Sequence, residues 1–229
     1  QRLEYAKILA NLKMYTKAKS EFLRLVDGSL ASPEISLTVA LLSLELKDNI
    51  LAEKFFNQAL ERGYSDRDKI QIYLAKIYLD RKEPDMAITF LDKISSGQLF
   101  VEAKILSAEI IADYRSVDDG IASLSKYKNL SPNDKLQFLK AKTSLLYNND
   151  RQQDAFDLMK SEDANFNNFA EFKFDYAMLA EKMGNTLLME QLLKEAIKIK
   201  PDYADAFNNL GYALHCIGTV SYTHLTLPT

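Results

Sequence analysis

The sequence predicts an all-α chain, a solenoid of helix pairs, and three observations predict it. Residues that punctuate a chain are scarce: 229 residues hold 7 Gly and 5 Pro, less than half of ordinary usage, which leaves little material for tight turns. Small residues recur at a near-constant interval: Ala18, Ala52, Ala87, Gly120 and Ala155, with Met189 at the equivalent place, stand 34, 35, 33, 35 and 34 residues apart. Around them apolar residues fall at i+3, i+4 and i+7, the spacing that gives a helix one apolar face. A period of this length is one helix-turn-helix unit.

The units follow in order. In residues 1–32, Tyr5, Leu9 and Leu12 make the apolar face of a first helix, and Ala18-x3-Phe22-x2-Leu25 marks the second. Residues 33–67 carry the full small-large-small signature, Ala52-x3-Phe56-x2-Ala59, and residues 68–100 pair Leu74, Ile77 and Tyr78 with Ala87-x3-Leu91-x2-Ile94. Residues 101–135 hold Gly120-x3-Leu124 and close on Pro132. Residues 136–169 contain Ala155 but are the least regular unit: Asp150 stands in place of a turn glycine and Glu162 where a small apolar residue is expected, so an irregularity is expected over 161–166. Residues 170–203 end Met189-x3-Leu193-x2-Ala196 with Pro201 behind, expected to break one helix and start the next, over 204–218. Twelve residues before each second-helix marker stand Ala6, Ala40, Ala75, Ala108, Thr143 and Ala177, all small. Antiparallel helices nest only where a small side chain admits the neighbour's ridge.

This pattern resembles the tetratricopeptide repeat. The last segment, Ala204 to Leu214, is similar to the repeat's first helix almost residue for residue, with Phe207 at motif position 4 and Leu210 and Gly211 at positions 7 and 8. The likeness covers 1–218. It implies an all-α right-handed superhelix of six pairs and a truncated seventh first helix, one solenoid domain over 1–219. The motif's Trp at position 4 is missing throughout; Arg2, Ser36, Gln71, Lys104, Leu139 and Lys173 stand there. A narrower resemblance, carried by Asn-x-Leu-Gly-Tyr-x-Leu at 208–214, is to proteobacterial repeat proteins of the cell envelope. It implies a bacterial periplasmic or envelope location, the cytoplasm being the alternative. Residues 220–229 match a translated transposase-end sequencing adapter over all ten positions and are expected to be a non-native tail.

Composition excludes much chemistry. One Cys forbids an intrachain disulfide or a CxxC metal site, and 2 His cannot make a three-His zinc site. A net charge of −3 gives no field for nucleic acid, and no run approaches the ~20 apolar residues of a membrane span. Cys216 and His215 are helix neighbours pointing about 100° apart, so they do not converge as nucleophile and base. Asp118-Asp119 and Glu162-Asp163 read as helix caps or solvated ends. No catalytic residue, metal site or cofactor is expected; the chain reads as a non-enzyme.

Function then falls to the face that the first helices line. The resemblance places Leu37, Leu41, Ile72, Lys76, Ile105 and Glu109, then Lys140, Tyr147, Phe174, Met178 and Tyr212, on a concave groove with an apolar and aromatic bias, suited to a helix or extended peptide of a partner protein. Apolar stripes are more often core than groove. A carboxylate clamp needs a run of cations and Asn, but Lys7, Leu41, Lys76 and Glu109 occupy successive positions 9 and interrupt it. The expected function is an interaction scaffold, in envelope assembly. The alternative is the non-catalytic arm of a larger enzyme such as a transferase. Self-association through 204–218 is a further expectation.

Overall fold

The computed structural model describes residues 1–28 and 31–226, with side chains through 218. Among the described residues it has thirteen α-helices and no strand: α1 Arg2–Asn11, α2 Tyr15–Val26, α3 Pro33–Glu45, α4 Asn49–Glu61, α5 Arg67–Asp80, α6 Pro84–Asp92, α7 Phe100–Tyr114, α8 Val117–Ser125, α9 Pro132–Asn148, α10 Gln152–Glu162, α11 Ala170–Lys182, α12 Thr186–Ile199 and α13 Ala204–Thr226. These are six helix pairs and a thirteenth helix, at the places the repeat period predicts.

Local chemistry sets the ends. Ser32, Asp48, Asp66, Ser116, Ser131 and Asn185 each accept a hydrogen bond from a backbone N–H three residues on, which satisfies a donor the helix leaves open. Pro33, Pro84 and Pro132 sit in the first turn, where a missing N–H costs nothing. Pro132 therefore opens α9 rather than closing the unit before it. Pro201 does not start a helix: α12 ends at Ile199 and α13 begins at Ala204, with Pro201 in the turn between.

Five of the six intra-pair turns share one geometry. Lys13, Lys47, Lys82, Asp150 and Gly184 have φ between 57° and 71°. The following residue donates back five positions, as in Met14 N to Leu9 O (2.9 Å), Asp48 N to Ser43 O (2.8 Å), Glu83 N to Tyr78 O (2.9 Å), Arg151 N to Leu146 O (3.0 Å) and Asn185 N to Ala180 O (2.8 Å). That is a left-handed helix cap that recovers orphan carbonyls. Asp150 is thus no defect. The exception joins α7 to α8, where Ser116 caps directly from an extended backbone.

The chain forms two compact units, Gln1–Ile110 and Ile111–Thr229. In the first, Ala6, Ala18, Ala40, Ala52, Ala59, Ala75, Ala87 and Ala108 are fully buried, among Phe56, Ile70, Leu74 and Leu91. In the second, Gly120, Ala155, Ala177, Met189 and Ala196 are buried with Phe172, Leu192 and Leu193. Thr143 is buried too and donates its hydroxyl to Leu139 O (2.9 Å), so the small position tolerates an oxygen that bonds its own helix.

The outer helices depart from the expected pattern. Tyr5 and Leu12 are 54% and 65% exposed, while Leu9 and Ala6 are buried against α2 and α3; α1 packs through one narrow stripe. On α13, Ala206 and Ala213 are buried but Phe207, Gly211 and Tyr212 are exposed, and no neighbouring atom lies within 4 Å of a Cβ placed on Gly211. Its close-approach role is therefore unused among the described residues. The α13 backbone is helical to Thr226; the expected adapter-derived tail otherwise lies outside the described residues.

Candidate functional site

The missing tryptophans come first, because they shape what surrounds the grooves. Five of the six position-4 side chains are buried: Ser36, Gln71, Lys104, Leu139 and Lys173. A large indole has been replaced by chains that reach sideways for polar partners. Ser36 Oγ accepts from Arg62 Nη1 (3.1 Å) and donates to Gln58 Oε1 (3.2 Å). Lys104 Nζ donates to Leu91 O (3.1 Å) and to Asp92 Oδ1 (3.3 Å). Lys173 Nζ sits 2.6 Å from Asp163 Oδ1 and 2.7 Å from Glu195 Oε2. Burial opposes the Lys173 charge, but these two carboxylates outweigh it and its pKa rises above the usual lysine value. Burial likewise opposes ionisation of Glu195, and its hydrogen bond from Lys173 reverses the balance, holding its pKa below the usual range. Asp163 is the C-cap residue of α10, and its half-exposed carboxylate also pairs with the buried Lys173 ammonium. Gln71 differs, since its Oε1 is buried with no hydrogen-bond partner among the described residues.

In each unit a groove opens between consecutive first helices. In the first unit a cavity of about 550 Å³ lies between α5 and the start of α7, with Asp66, Asp68, Lys69, Lys76 and Glu102 around Ile72, Tyr73 and Leu99. Three carboxylates against two ammonium groups give it an acidic, polar lining. In the second unit a cavity of about 340 Å³ lies between α9 and α11. Met159 of α10, with Leu179 and Met178, makes an apolar floor; Tyr147 walls it, and Lys140, Asn148, Asp175 and Lys182 stand at the edges. Lys140 Nζ lies 2.9 Å from Asp175 Oδ2 and 4.0 Å from Glu171 Oε2. Burial pushes the Asp175 carboxyl above its usual range, and the lysine recovers only part of that.

Of the predicted groove residues, Ile72 and Lys76 line the first cavity and Lys140, Tyr147 and Met178 the second. Ile72 is only 6% exposed and serves mainly as core. Leu37 and Leu41 are half-buried against the first unit's core, Ile105 is half-buried and Glu109 is exposed. Phe174 packs at a tilt against the Tyr203 ring, 5.2 Å between centroids, and Tyr212 is exposed. The residues missed are the floor and the edges. Met159 comes from a second helix, and a search restricted to first helices passes over it. Asp175 and Lys182 lie one position beyond the motif positions taken as groove-facing.

A row of helix pairs with a repeating left-handed turn and grooves between first helices defines the class: an α-solenoid repeat protein. A family likeness follows from comparison. A family profile described as "Tetratricopeptide repeat" matches residues 170–203, and a second, "TPR repeat", matches 191–218. Residues 170–218 thus carry the tetratricopeptide-repeat match, and the chain is similar to that family. A TPR repeat-containing protein of Pseudomonas aeruginosa, PA4667, is 26% identical over 147 residues, 64% of this chain and 25% of the relative. The chain thus spans about a quarter of that relative's length. The crystal structure of the C-terminal part of a TPR repeat-containing protein from Cytophaga hutchinsonii superposes with a TM-score of 0.57 at 16% identity, covering 97% of this chain and 88% of that one. That likeness shows the fold. Proteins of this family are in general protein-interaction scaffolds, and no described helix is long and apolar enough to cross a membrane.

Proposed function

We propose that this chain is a scaffold that holds a partner protein by an apolar side chain of a helical or extended segment, seated between α9 and α11. One observation carries the reading: the groove has a floor of two methionines and a leucine, Met159, Met178 and Leu179, beside Tyr147. Methionine floors adapt to several apolar shapes, and an aromatic wall gives a buried anchor most of its contact. Around that floor, Lys140 is occupied by Asp175, whereas Lys182 makes no ion pair among the described residues. A carboxylate next to the anchor completes the match. The acidic groove of the first unit suits a more polar, cationic segment.

A displayed library of random peptides, selected on the full chain, tests this. Selected sequences should carry a large apolar residue beside Asp or Glu. Met178→Glu should weaken their binding at least about tenfold, the cost of a charge placed in an apolar pocket. Peptides that bind that variant unchanged would sink the assignment. Action in a bacterial envelope belongs to the same proposal, motivated by the Asn-x-Leu-Gly-Tyr-x-Leu element at 208–214. Fractionation of cells expressing the full reading frame decides it.

A further inference from the structure

Several repeats turn two positions beside the position-4 site into their core, although Tyr5 at position 7 of the first repeat is exposed. At position 7 the core uses Val39 and Leu74, both fully buried, and Tyr176 at 3% exposure; near the end of each second helix it uses Ala59, Ile94 and Ala196, all fully buried. Around α9 the chain breaks this rule three times. Lys142 takes position 7, and Tyr127 and Glu162 take the second-helix place in successive units. The three do not scatter. They line one cavity of about 250 Å³, walled by Leu124, Phe138 and Phe166, which are buried side chains. At about 100° per residue, Phe138 and Lys142 lie on the side of α9 opposite Lys140, Ser144 and Tyr147, so this is not the groove of the proposed function.

The charges in the cavity are not settled among themselves. Lys142 has no hydrogen bond or ion pair among the described residues, and burial draws its pKa down while the Glu162 charge partly restores it. Glu162 instead accepts a hydrogen bond from Asn165 Nδ2 (2.8 Å). Lys135 adds a second cation at the mouth. A partnerless ammonium in an apolar recess is costly, and a leucine like that of the third unit would fill the place without the cost.

We propose that this cavity is a binding site for a small apolar carboxylate, its carboxyl group on Lys142 Nζ and its body against Leu124, Phe138 and Phe166. The volume is below the ~300–1,000 Å³ of sites for drug-sized ligands, so the ligand is no larger than a short-chain or single-ring acid. Titration of the full chain with benzoate and hexanoate, followed by NMR shifts, is the test. Benzamide and hexanamide are the uncharged controls. The acids should bind with Kd of ~0.1–1 mM, as about nine heavy atoms allow, and at least about tenfold tighter than the amides, since a charge-assisted hydrogen bond is lost. Lys142→Leu should remove that preference and raise the melting temperature. Glu162→Gln should tighten acid binding by removing a like charge. Acid and amide binding equally, no binding at about 10 mM acid, unchanged binding in Lys142→Leu, or weaker binding in Glu162→Gln would each overturn the proposal.

Discussion

The two units place polarity differently. The first buries Ser36, Ser43, Gln71, Lys104 and Ser107 among fully buried Val39, Leu74, Phe56 and Ile94, under a groove crowded with Asp66, Asp68 and Glu102. The second places Lys142, Glu162 and the Lys173 triad at core positions, yet its groove floor is methionine and leucine. The repeat needs small residues at helix crossings and a left-handed turn; it leaves open where charge is put. Both units therefore rest on packing around a buried position-4 lysine, Lys104 beside Asp92 in the first and Lys173 beside Asp163 and Glu195 in the second, and the second adds charge at two more repeat positions, Lys142 and Glu162.

The largest test of that contrast is the Lys173 triad. Asp163→Asn with Glu195→Gln leaves an ammonium whose side chain is 5% exposed without a counter-ion. The expected loss is about 3 kcal/mol, the lower end for breaking a buried pair. Lys173→Met should cost under about 1 kcal/mol, because Asp163 and Glu195 are 42% and 37% exposed and return to water. Urea unfolding with hydrogen exchange resolved by unit measures both. A double variant that loses less than about 1 kcal/mol, or that loosens the first unit instead, breaks the comparison.

The converse test is in the first unit. Gln71 carries a buried acceptor with nothing to accept from. Gln71→Leu should stabilise by about 1 kcal/mol, the usual penalty of an unmet buried polar group. A loss in thermal unfolding of that variant would mean that the amide makes a contact through its nitrogen that outweighs the orphan oxygen.

Acid separates two carboxyls of the second unit. Glu195 has a depressed folded pKa, so its contribution is present above the unfolded value near 4.5 and is lost as pH falls through the folded one. Asp175 is raised, so its ionised form costs stability at neutral pH and protonation on acidification relieves that cost. Asp175→Asn should therefore stabilise at pH 7, by less than about 1 kcal/mol because the side chain is partly solvated, and the gain should vanish by about pH 3. Unfolding midpoints against pH that show the gain growing in acid would reverse the assigned sign.

How much of this was legible is clearest at particular residues. The helix pairs could be read because Ala6, Ala40, Ala52 and Ala177 are small where helices cross, and smallness is visible in sequence. Their burial, at 0%, is what that reading requires. Pro132 and Pro201 misled in detail, since proline marks a boundary without saying on which side of it the helix lies. Part of the second groove was legible: Lys140, Tyr147 and Met178 follow from the first-helix register, whereas Met159 enters from α10 through tertiary packing. Glu162 was visible as a departure, but its meeting with Tyr127 and Lys142 depends on how α8, α9 and α10 come together, which periodicity does not encode.

The smallest test concerns the left-handed turns, where the units differ in residue but share one geometry. The first uses Lys13, Lys47 and Lys82 at positive φ; the second uses Asp150 and Gly184. A lysine held left-handed costs about 1 kcal/mol, whereas glycine there costs ~0.5–1 kcal/mol in unfolded-chain entropy. The two nearly cancel, which explains how the repeat persists with little glycine. Lys82→Gly should then change stability by no more than about 0.5 kcal/mol, toward stabilisation, because Glu83 N still reaches Tyr78 O. Gly184→Ala should cost about 1 kcal/mol, since the new Cβ meets no neighbour within 4 Å and only the backbone strain remains. Thermal melts of the two variants give the comparison directly. A loss above about 1 kcal/mol in Lys82→Gly would show that the ammonium acts on the carbonyl end of α5, the favourable placement of a cation at a helix C-terminus, and the lysine turns of the first unit would then be electrostatic caps rather than strained substitutes for glycine.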